Sequence, residues 1–202
     1  MRQVPRDLLQ AILDAASRGG SSDFDLNRNV VLPPNRPLRE AAVLVPVIET
    51  DRGFQLILTK RASHLKHHPG QIAFPGGKRD AEDDTLVTTA LREAQEEIGL
   101  LRDNVEVLGQ IPPHETVTGF TMTPVLGLVR AEFVPNPEQG EVAEVFRVPL
   151  AHVLDIERYQ VQSRSWRGVE RNYYTVPFGP YYIWGATARV LRRMADGLNN
   201  AH

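Results

Sequence analysis

Residues 85–99 read TLVTTALREAQEEIG, the clearest helix in the chain. With Leu86 set at 0° and about 100° per residue, Val87, Ala90, Leu91, Ala94 and Ile98 fall between roughly 0° and 140°. That is one continuous apolar face, so the helix lies on a core. Gly99 supplies the residue that ends it. Glu93, Glu96 and Glu97 fall at about 340°, 280° and 20°, a stripe along the edge of the buried face. Positions three and four apart are neighbours, so the three carboxylates repel one another by roughly a few tenths of a kcal/mol per exposed pair. Beside a core of lower effective dielectric the repulsion grows. Arg92 reaches Glu96 at i+4 but is one cation for three anions. A hard divalent cation offsets the rest, and magnesium takes carboxylates, water and substrate phosphate. Without context, three helical glutamates are more often a solvated acidic face.

The context lies immediately upstream. Phe74-Pro75-Gly76-Gly77 lets backbone approach a ligand closely, and a carbonyl there can face the same cation. A Gly-Gly pair alone is more often only a turn. Further back, Lys60 to His68 gathers Lys60, Arg61, Lys66 and three histidines, His64, His67 and His68. Taken alone this is a solvated basic loop; placed just before the acidic helix it suits phosphate. The histidines lack regular zinc-ligand spacing.

Outward from this centre, residues 41–48 (AAVLVPVI) form a buried strand in which Pro46 hints at an edge or a bulge. Asp51-Arg52-Gly53 turns the chain into a second strand over 54–60. A loop covers 62–84, with a short strand near 71–74. Strands are expected near 105–111, 120–130 and 145–148, a helical turn over 149–154, a hairpin of 157–164 with 170–176 through Trp166-Arg167-Gly168, and a last helix over 184–197. Residues 5–18 form an amphipathic helix stopped by Gly19-Gly20, and 20–38 an irregular connector. The absence of a regular βαβ rhythm predicts an α/β protein with a mixed sheet and helices on both faces. The expected domains are an extension over 1–38 and a main domain over 39–202. Trp166, Tyr173, Tyr174, Tyr181, Tyr182 and Trp184 are expected mostly in the core, with some available to stack on a ligand ring or line an apolar pocket.

The 202 residues carry a formal charge of -2, so no overall positive field attracts nucleic acid or a membrane surface. No cysteine is present, which excludes disulfides, thiolate metal sites and a cysteine nucleophile. No apolar run reaches the roughly 20 residues of a membrane-spanning helix, and the reading is a cytoplasmic protein. The N-terminal 38 residues offer a surface for a partner, which leaves a homodimer open.

Taken together, Gly77 and Arg92-Glu93-Ala94-Gln95-Glu96-Glu97-Ile98-Gly99-Leu100 resemble the Nudix box. In the usual box the first glutamate lies six positions after the glycine. Here Asp83 holds that position, while Asp84, seven on, is in phase with the Arg-Glu, so the loop is longer by one or aligned differently. A second motif, Leu58-Thr59-Lys60-Arg61-Ala62 with Lys66, Gly70 and Phe74-Pro75-Gly76-Gly77, is similar to the signature of coenzyme A pyrophosphatases. That signature usually has arginine where this chain has Lys66, which keeps the charge and loses the bidentate fork. Looser likeness extends over Pro112-Pro113, Thr118-Gly119 and Glu141-Val142.

The resemblance implies a Nudix α/β/α sandwich that hydrolyses coenzyme A (CoA) or acyl-CoA with Mg2+ or Mn2+. It implies Glu93, Glu97, Glu96 and the Gly76 carbonyl as metal ligands, with Arg92 orienting the carboxylates. Arg61, Lys66, Gly70, Phe74, Gly76 and Gly77 would contact substrate. The general base is open among Glu93, Glu141 and Glu144. Ordinary turn chemistry is the favoured use of His114, Thr116 and Thr118. Alternatives are hydrolysis of another nucleoside diphosphate derivative, such as ADP-ribose or NADH, and a module that senses a nucleotide without turnover.

Overall fold

A computed structural model describes residues 4–17, 19–27, 30, 36–166 and 168–199. The centre of the sheet is β2 (Arg39–Thr50), following the two-residue β1 (Ser21–Ser22) and the N-terminal helix α1 (Val4–Ala16). β2 turns through Asp51-Arg52 into β3 (Gly53–Arg61), its antiparallel partner, as the sequence predicts. Two short strands follow, β4 (Ile72–Ala73) on β3 and β5 (Gly76–Lys78) on β2. The acidic segment is α2 (Leu86–Ile98). Next come β6 (Val105–Gln110), β7 (His114–Glu115), β8 (Phe120–Val129), β9 (Val142–Pro149) and α3 (Leu150–Leu154). The hairpin of β10 (Gln160–Trp166) and β11 (Val169–Thr175) precedes α4 (Gly185–Asn199). β2 runs parallel to β8 and antiparallel to β3 and β5, so the sheet is mixed.

Both faces of the sheet are covered. Along β2, Val43, Val45 and Val47 join the core beneath α1, α3 and α4, while Ala42, Leu44 and Ile48 join the core beneath α2. The period-two alternation is invisible in AAVLVPVI because a strand buried on both faces is apolar throughout. From the other side Ala90, Ala94 and Ile98 of α2 enter the second core, the face drawn by the helical wheel. Thr85 caps α2, its hydroxyl accepting from Thr88 N at 3.1 Å. Gly99 closes it at φ 71°, its N–H directed at the Ala94 and Gln95 carbonyls. This is an α/β/α sandwich.

Several expectations need correction. Pro46 marks neither an edge nor a bulge. The partner on that side of β2 changes from β5 at Ala41–Val43 to β3 at Val47–Thr50. Leu44 N–H points into the gap, to Pro75 O at 2.8 Å, and Pro46, two residues on, faces the same way. Its missing N–H therefore removes no ladder bond. Gly76–Lys78 is a strand within the expected loop, because β2 supplies pairing that two glycines do not advertise. β9 is longer than residues 145–148. Ser21 and Ser22, inside the expected irregular connector, pair in parallel with His114 and Glu115. Of the connector, residues 28, 29 and 31–35 lie outside the described residues, as do Arg167 of the hairpin turn and the side chain of Trp166. α1 sends Leu9, Ile12, Leu13 and Ala16 into the same core as Val190, Leu191 and Met194 of α4. Gly197 allows this close approach, since a Cβ there would meet Ala15 at 2.7 Å.

Candidate active site

The acidic stripe of α2 lies over β5. Glu97, the glutamate predicted furthest into the apolar face, is 5% exposed, and the outermost, Glu96, has a side chain 58% exposed. Glu97 Oε2 accepts from Gly76 N at 3.0 Å. Burial pushes the Glu97 carboxyl up to about 8; the Gly76 N–H opposes this, while Glu93 and Glu141 add to it and Arg61 subtracts. Burial also raises Glu93, against the stabilising pull of Arg92. Two carboxylates are thus held side by side where each disfavours the other's charge.

The glycines are required for this approach. A Cβ on Gly77 would lie 2.5 Å from the Glu93 carboxyl carbon, and one on Gly76 would lie 2.5 Å from the Ala42 carbonyl oxygen. Gly76 has φ 155°, where L side chains rarely sit. The loop therefore brings main chain against the carboxylates from one side while α2 presents them from the other.

Arg92 organises the remainder. Its Nε donates to Asp83 Oδ1 at 3.0 Å and its NH2 to Asp83 Oδ2 at 2.9 Å, a bidentate pair. NH1 reaches Glu93 Oε1 and Glu96 Oε2, each at 3.0 Å. Asp83 is 3% exposed, and the Arg92 guanidinium holds its carboxyl below the usual carboxylate range. This settles the ambiguity of the box: Asp83 grips Arg92, and Asp84 is exposed. Arg79, which the sequence reading passed over, ties the loop down by donating to the Asp83 and Asp84 carbonyls and to Glu40. A basic residue in a polar loop carries no signal of such a role.

Glu141 is exposed in the turn before β9, close enough for its charge to raise both Glu93 and Glu97. Its position follows from α2 itself. The strap before it donates Asn136 N to Ile98 O at 3.0 Å and Glu138 N to Glu97 O at 2.9 Å, satisfying carbonyls at the helix C-terminus. Glu144, the other loop candidate, instead accepts the Tyr181 hydroxyl, and the Tyr181 ring stacks on Phe146.

Of the expected substrate contacts, Arg61 is close enough to favour the charged form of Glu97. Lys66 is exposed on the loop. Gly70 turns the chain at φ 69°, its N–H donating to Arg61 O at 3.1 Å. Phe74 departs from expectation: its ring is 4% exposed within the core under the sheet and presents no surface to a ligand. Thr116 does turn chemistry, its hydroxyl accepting from Phe120 N at 3.0 Å. His114 is fully buried, between Ser21 Oγ at 2.9 Å and Asp23 Oδ1 at 3.1 Å. These are the residue types of a hydrolytic triad, but Ser21 is buried, and the trio fastens the N-terminal connector to β7.

Among the described residues, no group of three carboxylate or imidazole side chains converges as a ready-made metal cage. Glu93 and Glu97, with main chain beside them, fit a hard cation that takes one or two carboxylates and completes its shell with water and substrate phosphate. Among the same residues, no helix is long and apolar enough to cross a membrane.

The family model described as the NUDIX domain matches residues 38–167. A protein of Salmonella heidelberg described as "Uncharacterized Nudix hydrolase NudL" is 41% identical over 174 residues, 86% of this chain and 90% of that one. Its namesake in Enterobacter sp. is 41% identical over 78% of this chain and 81% of its own. A MutT/nudix family protein from Enterococcus faecalis, 16% identical, superimposes with a TM-score of 0.50 over 83% of this chain and 64% of its own, a likeness of fold. The chain belongs to the Nudix family. It is a Nudix hydrolase of a nucleoside diphosphate derivative, and such enzymes generally use divalent metal ions such as Mg2+ or Mn2+.

Proposed function

We propose that this enzyme hydrolyses the diphosphate of CoA or acyl-CoA to 3′-phosphoadenosine 5′-phosphate and (acyl-)4′-phosphopantetheine. The observation that carries the reading is the position of Arg61. This residue of the upstream signature lies within electrostatic reach of Glu97, one of the paired carboxylates of α2. A diphosphate needs a cation on each side, and the site offers Arg61 on one and a metal at Glu93 and Glu97 on the other.

The metal, Mg2+ or Mn2+, would be held by Glu93 and Glu97 with the Gly76 carbonyl, and by Glu96 directly or through water; it supplies charge neutralisation and a more acidic water. Glu141, facing the pair from the exposed turn, is assigned as the base that takes the proton of the attacking water. Arg61 neutralises phosphoryl oxygen, and the exposed Lys60, Lys66, His64 and His67 face the 3′-phosphate. Arg92 holds Glu93 and Glu96 in place without touching substrate. Water adds to one phosphorus as the bridging oxygen leaves on the other, so each product keeps one phosphate.

The test is product analysis on CoA and ADP-ribose under identical conditions, with and without Mg2+ or Mn2+. Metal-dependent release of 3′-phosphoadenosine 5′-phosphate, with ADP-ribose turned over far more slowly, supports the proposal. Turnover of ADP-ribose without CoA cleavage discards the substrate and keeps the metal site. Glu141→Gln is expected to lower kcat by about 10²–10⁴-fold with KM little changed.

A further inference from the structure

Beside the basic segment lies a cavity of about 240 Å³ that the hydrolytic machinery leaves unused. It is roofed by Tyr173 of β11 and by Trp184 just ahead of α4, their ring centroids 5.2 Å apart and tilted by 60°. Val117 of the β7–β8 turn, Gln71 and Asn172 form further parts of its wall. The volume is smaller than the roughly 300–1,000 Å³ of a pocket for a whole small ligand, so it suits one end of a substrate.

Its link to the diphosphate site runs through Arg61. The Arg61 N–H donates to Gln71 O at 2.9 Å. Its charge also reaches His68 on the cavity wall and Glu97 at the metal site. Arg61 is thus tied through its main chain to Gln71 on the cavity wall, and its charge acts on groups at both places.

The cavity is close to neutral. Asp23 is already engaged, one carboxylate oxygen with His114 Nε2 at 3.1 Å and the other accepting Val117 N at 2.8 Å. Arg171, also on the cavity wall, lies over the Phe24 ring, 5.8 Å from its centroid, so the lining carries one cation and one carboxylate. Burial and the nearby Arg61 keep His68 below its ordinary value, favouring the uncharged imidazole. Aromatic and aliphatic surface and amides remain for a ligand.

Resting on the CoA reading above, we propose that this cavity receives the uncharged, amide-containing pantetheine arm of the substrate. Charge complementarity favours this placement. The adenosine half of CoA carries a 3′-phosphate, which suits the exposed Lys60, Lys66 and histidine segment and would be poorly placed in a neutral, aromatic-lined cavity. The arm carries amides, alkyl groups, a hydroxyl and a thiol, none of them charged. Rings and amides of this kind give contact area and orientation to such a chain without charge.

The two products separate the two halves and are used as probes. Binding of 4′-phosphopantetheine and of 3′-phosphoadenosine 5′-phosphate to the full chain with Mg2+ is measured by calorimetry for wild type, Trp184→Ala and the cavity-filling Val117→Phe. A loss of at least tenfold in affinity for 4′-phosphopantetheine in both variants, with 3′-phosphoadenosine 5′-phosphate changed less than threefold, is expected. Val117→Phe guards against a folding defect in Trp184→Ala, and retained affinity for the adenosine product shows that each variant is folded. The opposite selectivity would seat the adenosine half in the cavity and overturn the assignment, and equal affinities in all three proteins would remove the cavity from the site. Failure of either product to bind wild type would instead bring down the CoA reading and this inference with it.

Discussion

Glu97→Gln should make the metal-free protein more stable while destroying its activity. Glu97 starts from an ordinary value of 4.5 and burial takes it to about 8 in the folded chain. Between these values the folded state holds a proton that the unfolded state has released, so stability falls as pH rises through the window. Each unit is worth about 1.4 kcal/mol. At pH 7, about 2.5 units above the unfolded value, the carboxyl therefore costs the metal-free fold about 3 kcal/mol. Glutamine is neutral in both states and keeps an oxygen for the Gly76 N–H. In EDTA at pH 7 the variant should unfold about 6–12 °C higher than wild type, and the gap should close near pH 4.5. Magnesium should then reverse the order: wild type gains about 4.1 kcal/mol at one thousand times the dissociation constant, more than the carboxyl costs, and the variant gains far less. Glu96→Gln, altered at an exposed carboxylate, serves as the control and should leave metal-free stability within about 0.5 kcal/mol. Thermal melts at two pH values, with EDTA or Mg2+, read all of this. A Glu97→Gln protein no more stable than wild type at pH 7 in EDTA, or a gap that persists at pH 4.5, would refute the reasoning from burial.

Asp83→Asn should lower stability by about 3 kcal/mol by leaving the Arg92 guanidinium buried without its carboxylate. Because Arg92 holds the Asp83 carboxyl down, wild type should lose that advantage as pH falls below about 4, so urea midpoints should converge in acid. Gly77→Ala and Gly76→Ala should differ in kind. The first meets the movable end of Glu93 and should cut kcat by at least about tenfold at a stability cost near 1 kcal/mol; the second meets β2 backbone and should cost about 3 kcal/mol or more, read by chemical denaturation. Ile12→Ala in α1 should cost about 2–5 kcal/mol if the N-terminal helix shares the core as described; a change below about 0.5 kcal/mol in the same assay would separate it from the domain.

The apolar face and acidic stripe of α2 were legible because they rest on local periodicity, and the mixed sheet because no βαβ rhythm runs through the chain. A helix repeats about every 3.6 residues, so the wheel of residues 86–98 placed Glu97 inward and Glu96 outward, and the exposures follow that order. The capping residues Thr85 and Gly99 act within a turn of the helix they bound. Charge and spacing in one stretch likewise pointed to Glu93, Glu97 and the glycine pair.

Contacts distant in sequence were decided only by the tertiary structure. Phe74 sits in a motif that suggests ligand contact, yet the turn into β5 sends its ring into the core. Glu141 and Glu144 are three residues apart and look equivalent, but Tyr181 occupies the second while the strap over the end of α2 brings the first near the Glu93 and Glu97 carboxylates. Asp83 and Asp84 are the same residue side by side, and only the loop's path puts the first against Arg92. The cavity draws on the N-terminal connector, the loop before β4, the β7–β8 turn, β11 and the approach to α4. A neutral pocket assembled from five separate segments has no local pattern for a sequence to display, because its chemistry arises from proximity that only packing creates.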